Sequence, residues 1–430
     1  MLMKIKTIRR GYHEVMALPR PIHKNPMKPS LLLSTLVNIL SLPQLTATKF
    51  SYTVEGMERV KGEPCLILMN HSSFIDLKIA FRMLYPRRFA VVATTDSFVG
   101  KAWVMRWLGC IPTLKFVSDM NLITDMKHTL TEKNSSVLMF PEAGYSLDGR
   151  ATLLPGKMGV LLKHLKVPVV SITTEGAFSH DPLYNELQQR RVKVSAHMKC
   201  LLTPEEIAEK SVTELDAILE DVFSFDSFAW QREQGIEITE DFRADGLQRI
   251  LYKCADCGHE GSMLGKGTSL TCAHCGASYE MDTLGQLHPA NEAAGGRFSH
   301  IPDWFDWERD CVRQELAEGS YSFDVPVKIG MMVDYKALYM VGEGRLSHSG
   351  DGFRLTGCDG ALDYCYSPLA SHSLNADFFW YEIGDVISFG DADKLFYCFP
   401  EGVDVAKARL AAEEIYKMRR SRRSAGAITG

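Results

Sequence analysis

A chain of 430 residues is too long for one ordinary hydrophobic core and predicts two or three domains. Hydrophobic residues make 46% and charged residues 23%, a globular composition, and a net charge of −5 excludes nucleic-acid binding by bulk charge. Four of the 11 cysteines fall in two CxxC pairs and the rest are scattered, which excludes a secreted disulfide framework and predicts reduced thiols in the cytoplasm.

Residues 1–45 read as a basic and amphipathic membrane-contact segment. Seven Lys or Arg precede position 31 (Lys4, Lys6, Arg9, Arg10, Arg20, Lys24, Lys28) against one acid, Glu14. Ser30 opens a helix over LLLSTLVNILSL, where Ser34, Asn38 and Ser41 form a narrow polar stripe and the remainder is apolar. Twelve residues are too few to cross a bilayer, so no transmembrane span is predicted. No secretory signal is visible either. A basic segment beside an apolar helix suits contact with the inner face of a membrane.

Residues 46–202 alternate apolar runs with helical stretches. CLILM (65–69), FAVVAT (89–94), SVLMF (136–140), VPVVSI (167–172) and VKVSAHM (192–198) read as strands, with DLKIAFRML, NLITDMKHTL and MGVLLKHL as helices between them. This order predicts an α/β domain with a mostly parallel sheet flanked by helices. Ligands of such sheets sit beyond the carboxyl ends of the strands.

Residues 203–250 read as a helical linker. Residues 251–285 hold Cys254, Cys257, Cys272 and Cys275, two CxxC pairs separated by 14 residues, the spacing of a structural zinc ribbon. Four sulfur ligands leave no open position for catalysis. Between Glu240 and Asp282 seven acids face four Lys or Arg, which repels phosphate, so no nucleic-acid partner is expected. Residues 286–324 read as a linker. Residues 325–423 are a β-rich domain of short strands closed by one helix, the element order of a pleckstrin-homology-like barrel. KMRRSRR (417–423) ends it with a cluster able to attract anionic lipid.

The segment MNHSSFIDLK carries the chemistry. It places His71 at the carboxyl end of a buried strand and Asp76 five residues on. Ser72 or Ser73 could cap the next helix, leaving His71 incidental. Alternatively the carboxylate fixes the imidazole tautomer and His71 takes a proton from a substrate hydroxyl, with no protein nucleophile required.

Four later segments decide between these. His-x-x-x-x-Asp at a strand end, then GCIPTLK (Gly109 to Lys115), then Phe140, Pro141 and Glu142 running into Ala143-Gly144-Tyr145, then Lys157-x-Gly159, then VPVV (Val167 to Val170) follow in an order that resembles the glycerolipid acyltransferase superfamily, which includes lysophosphatidate acyltransferases. The resemblance covers about residues 50–200. It implies transfer of an acyl group from a thioester, acyl-coenzyme A or acyl carrier protein, to a lysophospholipid hydroxyl. His71 would be the base and Asp76 its orienting partner. Lys115, Glu142, Ala143, Gly144, Tyr145 and Lys157 would hold the acceptor. Lys115 stands where the family usually has arginine, Ala143-Gly144 where it has Gly-Thr, and Tyr145 where a basic residue is common. A lysine keeps the charge but loses the bidentate fork. The altered third motif also suits a non-catalytic lipid-binding adaptor on the same fold.

Overall fold

A computed structural model describes residues 4–117 and 119–428, with side chains through residue 421 at the carboxyl end. The first described strand pairs with the carboxyl-terminal sheet. Strand β1 (Thr7–Arg9) runs parallel to residues Leu338–Met340, and the short helix α1 (Tyr12–Met16) places Val15 in the core shared by the ribbon and the carboxyl-terminal domain. Arg20 Nε donates to the Asp393 backbone oxygen at 2.8 Å. Residues 7–20 therefore pack against that domain. Residues Leu338–Met340 lie before the stretch Gly344–Ser349 that the neighbouring strand pairs, and β1 covers the edge left free there.

Helix α2 (Leu31–Ala47) starts at Ser30, whose hydroxyl accepts from Leu33 N at 3.4 Å. It extends past the expected end at Leu42. Its polar stripe faces inward: Ser34, Asn38 and Ser41 are buried, while Leu32 (79%) and Leu40 (67%) stand in the open with Leu36 and Ile39. Ser34 and Ser41 donate to backbone oxygens one turn back, which satisfies them without water.

The α/β domain holds strands β2 (Ser51–Glu55), β3 (Leu66–Met69), β4 (Phe89–Thr94), β5 (Ile111–Thr113), β6 (Ser136–Met139), β7 (Val169–Glu175) and β8 (Ser195–Leu202). The sheet order is β2-β8-β7-β3-β6-β4-β5, with β7 and β8 antiparallel and every other pair parallel. All four residues of central β3 are buried because helices cover both faces, which is why LILM reads as an unbroken apolar run. Helices α3 (Asp76–Leu84), α4 (Ala102–Trp107), α5 (Met120–Thr131), α6 (Met158–Leu165) and α7 (Ala177–His180) complete the domain. The sequence does not signal β2, which is exposed along its length, or the three-residue β5.

Helices α8 (Pro204–Glu209), α9 (Val212–Val222) and α10 (Ser227–Glu233) follow, the first two opened by reciprocal capping boxes at Thr203 and Ser211. The ribbon is a sheet of β9 (Met263–Lys266), β10 (Ser269–Cys272), β11 (Ser278–Met281) and β12 (Leu287–Pro289). The expected linker 286–324 contains an 18-residue helix, α11 (Ile301–Glu318), whose Ile301, Trp304, Phe305 and Val312 enter the same core as the ribbon. Strands β13 (Ser322–Met332), β14 (Leu338–Ser349), β15 (Gly352–Gly357), β16 (Leu362–Tyr366), β17 (Asn375–Trp380), β18 (Gly384–Gly390) and β19 (Leu395–Pro400) form the carboxyl-terminal sheet, closed by helix α12 (Val405–Ile428). Its order β16-β15-β14-β13-β19-β18-β17 leaves the end strands unpaired with each other, so the described sheet is open. Of the terminal basic cluster, Lys417 pairs with Glu414 and Arg419 with Asp351, each at 2.8 Å; the side chains of Arg422 and Arg423 lie outside the described residues.

Val15→Asp tests the docking of the amino terminus. Burying an unpaired carboxylate there is expected to remove about 3 kcal/mol of stability. Chemical denaturation monitored by tryptophan fluorescence reads it, and an unchanged midpoint would contradict the docked position.

Candidate active site

Strand β3 ends at Met69, and the next two residues turn the chain across the carboxyl edge of the sheet. Asn70 fixes that turn. Its side-chain oxygen accepts from Thr174 N at 2.8 Å and its amide donates to Ser72 Oγ at 3.0 Å, tying the ends of β3 and β7 together. His71 follows, with its Nδ1 3.1 Å from Asp76 Oδ2. The same oxygen accepts from Ser72 N at 2.7 Å and Ser73 N at 2.9 Å. Asp76 is at once the first residue of α3 and the partner of His71, so the capping and orienting roles converge on one oxygen. Its other oxygen is buried without a partner.

Burial sets the protonation of the pair. The Asp76 side chain is 0% exposed and that of His71 18%. Burial first, and then the Lys115 charge, push the imidazole well below its usual range. Burial also lifts Asp76 to about 7, against the amides of Ser73 and Ser72. A neutral imidazole whose Nδ1–H donates to the carboxylate leaves Nε2 as an acceptor, the form a general base requires.

Glu142 acts on the backbone. One oxygen accepts from His71 N at 3.2 Å and the other from Thr152 Oγ1 at 2.9 Å. Both oxygens of this buried carboxylate are thus taken by protein donors. Ala143 sits at φ 56°, a left-handed conformation that glycine adopts with less strain. Gly144 carries the chain to Tyr145, whose ring centroid lies 3.8 Å from that of His71, while Phe140 stacks on the imidazole at 3.9 Å. Ser146 N closes the loop on His71 O at 3.0 Å.

Lys115 follows β5, close enough to depress His71, and its nearest anion is Asp377 of β17 at 3.8 Å. The glycine of the same segment, Gly109, has φ 84°, and a Cβ there would meet Pro29 at 2.5 Å. Lys157 is exposed at the start of α6 and makes no hydrogen bond or ion pair to the His71 cluster. Gly159 two residues on lets α6 approach α9, where a Cβ would meet Val212 O at 2.6 Å.

Sequence reasoning missed several residues of the cluster. Asn70 adjoins the motif and could have been read with it. Thr152 and Asp377 carry no local signal. Asp181, which accepts from the Ser73 side chain, is lifted to about 7 by burial and is missed for the same reason.

The four cysteines converge as their spacing predicts. The Sγ atoms of Cys254, Cys257, Cys272 and Cys275 lie within 4.8 Å of one another, with Cys254 and Cys275 at 3.8 Å and Cys257 and Cys272 at 3.9 Å. Tetrahedral zinc with bonds of ~2.3 Å separates its sulfurs by ~3.8 Å. Among the described residues this is the one cluster with metal-ligand geometry, and its donor set fits a structural zinc. Lys407 of α12 reaches the ribbon residue Glu260 at 2.8 Å, so the ribbon is docked on the carboxyl-terminal domain.

Residues 51–175 match the family model described as Acyltransferase, a span that includes the segments from His71 to Val170. A curated relative, the 1-acyl-sn-glycerol-3-phosphate acyltransferase BAT2, chloroplastic, from Brassica napus, is 32% identical over 154 residues, 34% of this chain and 43% of that protein. The chain thus spans less than half the length of the relative it matches. The crystal structure of the 1-acyl-sn-glycerophosphate (LPA) acyltransferase PlsC from Thermotoga maritima aligns with 44% of this chain and 76% of that one, at 18% identity and a TM-score of 0.35. The chain carries an acyltransferase-family domain homologous to a 1-acyl-sn-glycerol-3-phosphate acyltransferase, joined to a four-cysteine cluster and a β-rich domain.

Burial lifts Glu142 to about 7, whereas a glutamate in the unfolded chain titrates near ~4.3. Between these values the folded state binds more protons, so this group makes stability fall as pH rises. Glu142→Gln keeps the shape and removes the charge. It is expected to gain stability relative to the parent protein between about pH 5 and about pH 8, on the order of 2 kcal/mol. Thermal melts of both proteins across that range read the sign, and a difference that shrinks with pH would contradict it.

Proposed function

We propose that this protein transfers a fatty acyl group from a thioester, acyl-coenzyme A or acyl carrier protein, to the hydroxyl of a lysophospholipid. The observation that carries the reading is the His71–Asp76 pair: Nδ1 held at 3.1 Å by a buried carboxylate that two backbone amides fix in place. His71 Nε2 takes the proton of the acceptor hydroxyl as its oxygen attacks the thioester carbonyl carbon. The tetrahedral intermediate collapses, the carbon–sulfur bond breaks, and the imidazolium returns its proton to the leaving thiolate. Asp76 fixes the tautomer and stabilises the developing imidazolium through its hydrogen bond to Nδ1. Lys115 holds the acceptor phosphate. Glu142 positions His71 through its backbone, and Tyr145 lies against the imidazole. Lys157 would reach the acceptor only from the exposed start of α6. Zinc, held by the four cysteines, would close the ribbon and supply folding energy.

We place the protein on the inner face of a membrane. Among the described residues no helix is long and apolar enough to cross one. The support is the inverted helix α2, whose polar residues point inward while Leu32, Leu36, Ile39 and Leu40 face out. Trp103 and Trp107 of α4 extend the apolar surface, and Ser30 N bonds Trp107 O where the two helices meet. Apolar side chains of this number on one face suit the boundary between headgroups and acyl chains. A cytoplasmic location agrees with eleven free cysteines.

One observation favours the second reading, a non-catalytic lipid-binding adaptor. The imidazole has Phe140 stacked on it and the tilted Tyr145 ring against it, with centroids at 3.9 and 3.8 Å, which narrows its access.

His71→Ala is expected to lower acyl transfer to lysophospholipids in mixed micelles by about 10²–10⁴-fold with its melting temperature retained. Full activity would remove His71 as the base, and binding without turnover in the parent protein would favour the adaptor. Leu36→Glu with Leu40→Glu is expected to weaken co-flotation with anionic vesicles at least about tenfold. Undiminished flotation would contradict the membrane face.

A further inference from the structure

Among the described residues Lys115 has no hydrogen-bonded anion. Asp377, its nearest, lies 3.8 Å away, and the two side chains are 14% and 10% exposed. Asp377 belongs to the carboxyl-terminal domain, more than 250 residues further along the chain, and its Oδ1 accepts from Phe378 N at 3.0 Å. Asp96 of the α/β domain is buried beside it and bonds the Tyr381 hydroxyl. Burial, opposed by Lys115 and reinforced by Asp96, lifts Asp377 to about 6. The next cation, Arg409, is committed to Glu413 at 3.2 Å and to the Tyr145 backbone oxygen at 3.3 Å. Tyr145 takes the position where the family often has a second basic residue. Among the described residues the site thus sets one available cation, Lys115, against two carboxylates, Asp377 and Asp96.

That balance discriminates between headgroups. A phosphomonoester brings ~1.5 to 2 negative charges near neutral pH. Bound to Lys115, it would separate the pair and leave Asp377 beside a new anion with no cation of its own, an arrangement that burial makes unfavourable. A zwitterionic phosphodiester brings one negative and one positive charge. Its phosphate takes Lys115, its ammonium takes Asp377, and each buried charge exchanges one partner for one. A primary ammonium also supplies N–H donors to the carboxylate, which a trimethylammonium lacks.

We propose that Asp377 selects the acceptor, and that Lys115 and Asp377 together form a headgroup site across the domain boundary for a zwitterionic phosphodiester bearing a primary ammonium, of the phosphoethanolamine type. This rests on the acyl-transfer reading for its catalytic consequence and on the Lys115–Asp377 pair alone for binding. Selection of this kind changes the ratio between acceptors, whereas a purely structural ion pair changes stability and all rates together.

The test uses the full chain in mixed micelles with three lysophospholipids of one acyl chain, carrying phosphoethanolamine, phosphocholine or a phosphomonoester. Turnover is measured with the parent protein, and equilibrium binding with His71→Ala. The expected kcat/KM is at least tenfold higher for phosphoethanolamine than for the phosphomonoester. Asp377→Asn, which keeps the acceptor for Phe378 N, is expected to lower that ratio at least tenfold, and Asp377→Glu to keep most of it. A parent protein that prefers the phosphomonoester, or a ratio unmoved in Asp377→Asn, overturns the proposal and leaves acyl transfer standing. Selective binding of phosphoethanolamine without turnover supports the headgroup site and overturns the acyl-transfer reading. Neither turnover nor selective binding overturns both. If Asp377→Asn fails to fold, the same ratio in the parent protein and in Asp377→Glu decides.

Discussion

A carboxylate with no exposed surface must find its donors inside the protein, and Asp76 finds three on one oxygen. That requirement shapes what surrounds it. The amides of Ser72 and Ser73 point at Asp76 only because the chain turns sharply after β3, and Asn70 holds that turn against β7. Glu142 then accepts from His71 N, so the loop after β6 fixes the same turn from the other side. Three strand ends meet on two residues. An imidazole held this way has little freedom to rotate, which is the preorganisation that proton transfer needs.

The domains are interlocked more than their order along the chain suggests. β1 is added to the carboxyl-terminal sheet, α11 and α12 clamp the ribbon, and the carboxyl-terminal domain returns to the α/β domain at Lys115 and Tyr145. A zinc site that fixes the ribbon therefore supports α12, and α12 carries Arg409 to the loop beside His71. The ribbon touches α12, and α12 touches the loop beside His71; four sulfur ligands leave no vacant coordination position for catalysis.

What the sequence shows is what lies close together in it. His71 and Asp76 share one turn, the cysteine pairs carry their own spacing, and the buried strands announce themselves as LILM and SVLM. The stripe of Ser34, Asn38 and Ser41 is visible too, yet periodicity gives two faces of a helix without saying which is inside. Ordinary proteins put the polar face out, and α2 does the reverse. Glu142 is legible as a residue but its direction is not, because Thr152 and His71 N become its partners only when the loop closes. The pairing of Thr7 with Leu338 and of Lys115 with Asp377 joins residues hundreds of positions apart, where no local pattern exists. The helix over 301–318 is different: Ile301, Trp304, Phe305 and Val312 have the required spacing, obscured by the acids between them.

The most direct test is the protonation of His71 itself. Nitrogen-15 NMR of protein labelled at histidine, with His71→Gln identifying the signal, reads both ring nitrogens at neutral pH. The expected result is a neutral ring with the proton on Nδ1 and Nε2 unprotonated, as a base oriented by Asp76 requires. Two protonated nitrogens, or a proton on Nε2 alone, would contradict it.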